Sequence, residues 1–189
     1  MRGIAEKAGV SLGNAYYYFS SKEELIQGFY LQMHRAHQEA AEQVLQETNR
    51  FAERLQRVFE ARQETAQEYH QFAVELFRTA ANPSSPLSPF SGASEPTRLE
   101  SIDLFRQVVE GSKESFPADL REVLPELLWL LQMALVLYWV HDSSPGTEKS
   151  SRLIDRSVTL TARFLSVIKR VPFKPIRSMI LKTYKEFRD

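Results

Sequence analysis

The chain has 189 residues and a formal net charge of zero, with 43% hydrophobic and 25% charged residues. This is the composition of an ordinary globular protein, and it excludes a chain that is disordered throughout. The lack of cysteine excludes disulfides, thiol catalysis and cysteine-based zinc or iron–sulfur sites. Because the molecule as a whole has no excess positive charge, any binding to nucleic acid must come from a local surface.

No targeting or membrane-spanning segment is predicted. The first twenty residues lack the basic start and apolar stretch of a secretory signal, which favours a cytoplasmic protein. The longest apolar run covers residues 127–140 and is interrupted only by Gln132. Because a membrane span needs roughly 20 apolar residues, this run predicts a helix that is buried in protein on all sides.

Hydrophobic periodicity predicts an all-α protein, because alternating strand patterns are nearly absent. Residues 82–96 hold four of the nine prolines and five serines, which predicts a loop between helices. The predicted helices cover residues 2–8, 12–19, 21–47, 51–66, 69–81, 96–115, 117–141 and 148–170, and a last basic helix ends near residue 187.

The first part of the chain has the spacing of a helix-turn-helix. Two helices that cross steeply need a small residue where they touch, which Ala5 provides. The turn needs a residue that tolerates a left-handed backbone, which Gly9 provides. Val10 is then expected to fill the angle between the helices, and Ser11 to cap the second one.

The stretch IAEKAGVSLGNAYYYFSSKEELI, residues 4–26, resembles the DNA-binding signature of the TetR family of bacterial repressors. The matching features are the A-x-x-x-G-V-S turn, Gly13, the aromatic block from Tyr16 to Phe19, and a lysine at the start of the next helix. The resemblance implies a helix-turn-helix DNA-binding domain over residues 1–47. It also implies a multi-helix effector-binding and dimerisation domain over residues 48–189.

In that family the second helix lies in the major groove of DNA. The resemblance implies that its first residues lie nearest the base edges, and that the tyrosines and the lysine contact the sugar–phosphate backbone. Phe19 is expected to point into the core. The implied DNA-binding residues are Ser11, Leu12, Gly13, Asn14, Tyr16, Tyr17, Tyr18 and Lys22. The alternative is a packed aromatic patch in a plain bundle, although three consecutive helical residues point about 100° apart.

The family has a further helix before this pair, whereas almost nothing precedes Arg2 here. Without that helix, apolar side chains such as Ile4 and Phe29 are expected to lose partners, which lowers the stability of the DNA-binding unit. Three explanations stay open: a natural start further upstream, a deliberately shortened chain, or a genuine short form that no longer binds DNA.

Two adjacent apolar stripes run along the helix over residues 148–170, and together they are wider than one intramolecular contact needs. With the helix over residues 117–141, they favour a homodimer to which each subunit contributes two helices. The alternative is that both helices belong to the core of a monomer. One stripe comprises Ile154, Val158, Thr161, Leu165 and Ile168, and the other Leu153, Leu160, Phe164 and Val167.

Aromatic and apolar residues of the larger domain predict a pocket for a small apolar effector without inward-facing charges. An aromatic residue of this kind, taken alone, belongs more often to the core than to a pocket. The lone polar Gln132 needs a partner, which the effector, the second subunit or a backbone carbonyl could provide. The candidate lining residues are Tyr69, Phe72, Phe77, Phe105, Trp129, Gln132, Met133 and Trp139.

No arrangement of catalytic residues or phosphate-binding loop is recognisable, so neither enzyme activity nor a cofactor is expected. His34 and His37 lie three residues apart, but a solvated helix face is expected there and no metal site. The sequence therefore predicts a dimeric TetR-type repressor that binds a palindromic double-stranded DNA operator and is released by a small apolar effector. The alternative is a ligand-binding or protein-interaction homodimer that has lost DNA binding.

Overall fold

The computed structural model describes residues 1–82, 84–170 and 174–188, and the regular structure within these ranges is entirely helical. The all-α prediction is therefore confirmed, and most predicted boundaries lie within a few residues of those observed. The α-helices are α1 (Arg2–Lys7), α2 (Leu12–Tyr18), α3 (Lys22–Leu45), α4 (Phe51–Ala66), α5 (His70–Ala80), α6 (Glu95–Glu110), α7 (Ala118–Val140), α8 (Glu148–Ile168) and α9 (Lys174–Arg188).

The hydrophobic core lies between α3, α4, α6, α7 and α8. Leu55 and Val58 of α4 are completely buried, as are Leu104 and Phe105 of α6. The ring of Phe105 packs against that of Phe59, with 5.7 Å between ring centroids. Each such side chain stabilises the fold by roughly 1.5–3 kcal/mol, so this bundle supplies most of the hydrophobic stabilisation.

Helix α7 is the central helix of the bundle, and it contacts α5, α6, α8 and α9. It has 23 residues and, by length and composition alone, is apolar enough to cross a membrane. However, half of its most apolar 18-residue stretch is buried inside the protein. Core helices of soluble proteins commonly have these properties. Within the single chain, however, the helix is not buried on all sides, because Leu130, Leu137 and Tyr138 are exposed.

Candidate DNA-binding surface and ligand cavity

Helices α1 and α2 contact each other through the predicted turn. Gly9 has a φ of 67°, a conformation that glycine adopts without steric cost. Ala5 is buried at the crossing, and the Ser11 hydroxyl accepts a hydrogen bond from the Asn14 backbone N–H at 3.0 Å. The prediction for Val10 is wrong, because its side chain is exposed. Ile4, beside it, is also exposed.

The three tyrosines of α2 point into solvent, and no residue of this helix is buried. Tyr17 is the most exposed, at 82%, and its ring meets the edge of the Tyr18 ring with 5.1 Å between centroids. Tyr16 is half exposed. The alternative of a packed aromatic patch is therefore wrong, and a cluster of exposed aromatic rings is typical of a surface that binds a partner.

Gly13 is the second residue of α2, and no packing contact among the described residues requires a glycine there. A Cβ atom at this position would approach only the Ser11 hydroxyl oxygen, at 4.0 Å. Glycine in a helix costs about 0.5–1 kcal/mol relative to alanine, so the fold alone does not favour it here. Gly28 differs, because a Cβ atom there would lie 3.3 Å from the ring of Phe19. Phe19 is thus half-buried against α3, as predicted.

Lys22 is exposed at the first position of α3. The helix start is well capped, since the Ser21 hydroxyl accepts a hydrogen bond from the Glu24 N–H at 3.0 Å. The Glu24 carboxylate in turn accepts two hydrogen bonds from Ser20, one from its hydroxyl and one from its backbone N–H at 2.6 Å. Both bonds lower the pKa of Glu24. The eight implied DNA-binding residues therefore lie in one short segment that is largely exposed.

A cavity of about 1050 Å³ lies between α3, α5, α7, the end of α4 and the loop that precedes α6. Five of the eight predicted lining residues border this cavity. They lie on α5, on the turn before α5, and on α7. Phe29 of α3 completes an aromatic wall, with its ring centroid about 5 Å from two of these rings. The five residues are Tyr69, Phe72, Phe77, Met133 and Trp139.

The other three predicted lining residues do not border this cavity. Phe105 is completely buried in the core. Trp129 is buried behind Phe90, whose ring lines the cavity 5.4 Å from the Trp129 ring. Gln132 borders a smaller adjoining pocket of about 30 Å³, where its Oε1 atom has no hydrogen-bond partner.

Arg62 of α4 lines both the cavity and the smaller pocket, so the expectation of no inward-facing charge is wrong. Its Nη1 atom is buried and has no hydrogen-bond partner. Burial lowers the pKa of Arg62, an effect that Tyr30 opposes. Sequence reasoning missed this residue, although a charged residue within the apolar stripe of Leu55, Phe59 and Ala66 was a usable signal.

Comparison with known proteins agrees with this arrangement. The family described as "Bacterial regulatory proteins, tetR family" matches residues 1–28. The family described as "Tetracyclin repressor-like, C-terminal domain" matches residues 54–181. The chain belongs to the TetR family. No curated protein matches it. The TetR-type transcriptional regulator thus has its helix-turn-helix in the first matched segment and most of its cavity in the second, while α3 supplies one wall of the cavity.

The two stripes on α8 of this TetR-family protein have different environments. Ile154, Val158 and the rest of the first stripe, apart from Thr161, are buried against the chain's own core. In the second stripe Leu160, Phe164 and Val167 are exposed. Helix α8 contacts α7, whose exposed residues were described above. An uncovered apolar surface of this kind is typical of a protein–protein interface.

The two histidines of α3 are buried, so the prediction of a solvated face is wrong. His34 Nε2 lies 2.8 Å from a carboxylate oxygen of Glu100, and His37 Nε2 lies 3.1 Å from the Val58 carbonyl oxygen, to which it donates. These contacts tie α3 to α6 and α4. Among the described residues, no group of three or more His, Asp or Glu side chains could hold a metal ion.

Proposed function

We propose that this TetR-type regulator is a cytoplasmic repressor that binds a palindromic operator as a homodimer and leaves it when a small molecule fills the cavity. The main support is the course of α3. This helix begins at Lys22, in the DNA-binding surface, and its residues Phe29 and Met33 line the cavity. One continuous helix therefore connects the proposed ligand site to the proposed DNA contacts.

Release requires that the ligand bind one conformation better than the other. A homodimer on a palindrome presents its two recognition helices to successive major grooves, roughly 34–36 Å apart. Lys22 and Met33 are eleven residues apart, or about 16 Å along the helix axis at 1.5 Å per residue. A small tilt of α3 caused by a ligand beside Met33 therefore moves α2 and changes this spacing.

The exposed apolar surfaces of α7 and α8 support the proposed homodimer. Leu160, Phe164 and Val167 of α8 are exposed apolar side chains that no described residue of the chain covers. On α7, the exposed Leu130 and Leu137 also line the cavity. The proposed interface and the ligand site are therefore adjacent, so a ligand has a second route by which to change the distance between recognition helices.

The deciding experiment is fluorescence anisotropy with labelled DNA from upstream of the protein's own gene, at two salt concentrations. We expect specific binding whose affinity falls by orders of magnitude between roughly 50 and 200 mM salt, because phosphate contacts release counterions. A chain that is dimeric by light scattering but does not bind this DNA would favour the alternative, a ligand-binding homodimer without DNA binding.

The interface is tested with Phe164→Asp, which places a charge in the middle of the exposed stripe. The variant is expected to be monomeric and to lose operator binding. Thr159→Asp is the matched control, because Thr159 is exposed on another face of the same helix. A Phe164→Asp protein that remains dimeric would refute this interface.

A further inference from the structure

Helix α4 carries two arginines, Arg54 and Arg62, whose guanidinium groups lie inside the protein. Only in Arg54 does every guanidinium nitrogen have a hydrogen-bond partner. Arg54 donates hydrogen bonds to the carbonyl oxygens of Leu45, Thr48, Gln107 and Val108 at 2.6–3.2 Å. It therefore joins the end of α3 to α4 and α6. All three of its guanidinium nitrogens have a partner, so Arg54 has a structural role.

Arg62 lies eight residues further along α4 and has no comparable set of partners. Its Nη1 atom is buried without a hydrogen bond, and no carboxylate of the described residues forms an ion pair with it. Its titratable neighbours among the described residues are Tyr30, His34 and His37, and none of these is a carboxylate. A buried cation without a counter-charge is unfavourable, and an anionic ligand would relieve this.

A second unpaired polar atom lies in the same place. The Gln132 Oε1 atom has no partner, and Gln132 shares the small pocket with Arg62. This pocket adjoins the large cavity, because both are lined by Arg62, Val136 and Trp139. The ligand site therefore has a small end that contains two unpaired polar atoms, beside a large, mainly apolar body.

We infer that the effector is an amphipathic carboxylic acid, with its carboxylate held by Arg62 and Gln132 and its apolar part in the cavity. A guanidinium group matches a carboxylate with two parallel N–H donors, which makes this pair specific as well as strong. A glutamine side chain has an acceptor and two donors, so rotation of its amide presents an N–H to the same head group. This inference rests on the proposed function, since it concerns the ligand of the proposed release site.

The same geometry favours a single negative charge over a phosphate or another dianion. Arg62 supplies one positive charge, and burial lowers the pKa of both His34 and His37, which keeps them neutral near pH 7. The small pocket has a volume of only about 30 Å³, which suits a compact head group. The cavity, at about 1050 Å³, accommodates a long or polycyclic apolar body.

The test compares decanoate with 1-decanol, which has the same chain length but no charge, by isothermal titration calorimetry at pH 7.5. We expect the unmodified chain to bind decanoate roughly ten- to hundredfold more tightly than decanol, as for a hydrogen-bonded charge pair. Arg62→Met keeps most of the side-chain volume and is expected to abolish this preference. Arg62→Lys keeps the charge and is expected to retain part of the preference.

The control is Arg57→Met, because Arg57 lies on the same helix but is exposed and pairs with Glu47. It should bind both compounds as the unmodified chain does. Thermal melts verify folding, and Arg62→Met is expected to melt at the same or a higher temperature because it removes an unpaired buried charge. Equal affinity for the two compounds in the unmodified chain, a preference that survives Arg62→Met, or no binding of either compound would overturn the inference.

The calorimetry uses no DNA, so its outcome is separable from that of the proposed function. A decanoate preference together with absent operator binding would support the carboxylate site and count against repression. Operator binding that decanol releases as well as decanoate would support the repressor and refute the carboxylate site.

Discussion

The helix-turn-helix and the helical bundle use their apolar side chains in opposite ways. In residues 1–21 the only buried residue is Ala5, and three tyrosines face solvent. The bundle buries side chains such as Leu55, Leu104 and Phe105 completely. The folding free energy therefore comes mainly from the bundle, whereas the apolar surface of α2 is available to a partner. Substitutions in the two regions should separate stability from DNA affinity.

The largest effect is expected from a core substitution. Phe105→Ala removes a completely buried ring and leaves a cavity, so it should lower the free energy of unfolding by about 3–5 kcal/mol. Urea denaturation followed by circular dichroism measures this loss. A loss below roughly 1 kcal/mol would contradict the assignment of Phe105 to the core and would return it to the candidate ligand site.

A pH-dependent loss of stability is expected from the buried histidine. Burial lowers the pKa of His37 to about 3; the nearby Arg62 adds to this effect, and the hydrogen bond to Val58 opposes it. The unfolded chain takes up a proton near pH 6.5, and the folded chain does not until the pH is far lower. The contribution of His37 to stability is thus complete above pH 6.5 and falls by about 1.4 kcal/mol per pH unit below it.

The measurement is the free energy of unfolding between pH 8 and pH 4.5, with His37→Gln as the comparison. The variant should lose the part of the pH dependence of stability that comes from His37. It should retain the part that comes from His34, whose pKa is also lowered by burial. Asp142 adds a separate loss at lower pH. Its burial raises the pKa, but hydrogen bonds from Ser144 and Ser150 outweigh burial and lower it. Identical pH profiles for the two proteins would refute the role given to His37.

The opposite result is expected on the surface of α2. Tyr17→Ala removes the most exposed of the three rings, so the free energy of unfolding should change by less than about 0.5 kcal/mol. Operator affinity, measured by anisotropy, should fall by roughly tenfold because a backbone contact is lost. Leu99→Ala is the control, since Leu99 is an exposed apolar residue of α6 outside this surface. Equal losses in both variants would contradict a specific DNA contact by Tyr17.

Local signals in the sequence predicted the helix-turn-helix better than they predicted the ligand site. The turn depends on the backbone of Gly9 and the hydroxyl of Ser11, which act within a few residues. The cavity is formed by segments far apart in the chain, and an apolar residue has the same sequence pattern whether it faces a cavity or the core. Phe105 and Trp129 were misplaced for this reason.

The buried charges show the same limit. His34 was expected to be solvated because its partner, Glu100, lies 66 residues away and no local pattern connects them. Arg62 was recognisable in principle, since it interrupts an apolar stripe. The sequence alone, however, does not distinguish it from Arg54, which is on the same helix and has its hydrogen bonds satisfied by backbone carbonyls.

A small change in the free energy of unfolding is expected for Gly13→Ala, and this substitution separates stability from DNA binding most sharply. Gly13→Ala should raise the free energy of unfolding by up to about 0.5 kcal/mol, because alanine favours a helix, Gly13 lies in the first turn, and the added Cβ atom meets nothing closer than 4.0 Å. The same methyl group should weaken operator binding if α2 approaches the DNA closely at this position. Gly3→Ala is the matched control, since Gly3 lies in α1 and has no atom within 4 Å of an added Cβ.

The control should gain stability without any change in affinity for the operator. If Gly13→Ala alone raises the free energy of unfolding and lowers the affinity for the operator, Gly13 is needed for DNA binding and not for the fold. If Gly13→Ala instead binds the operator as tightly as the unmodified chain, α2 does not approach DNA closely at Gly13. The exposed tyrosines would then be the main contacts of this helix.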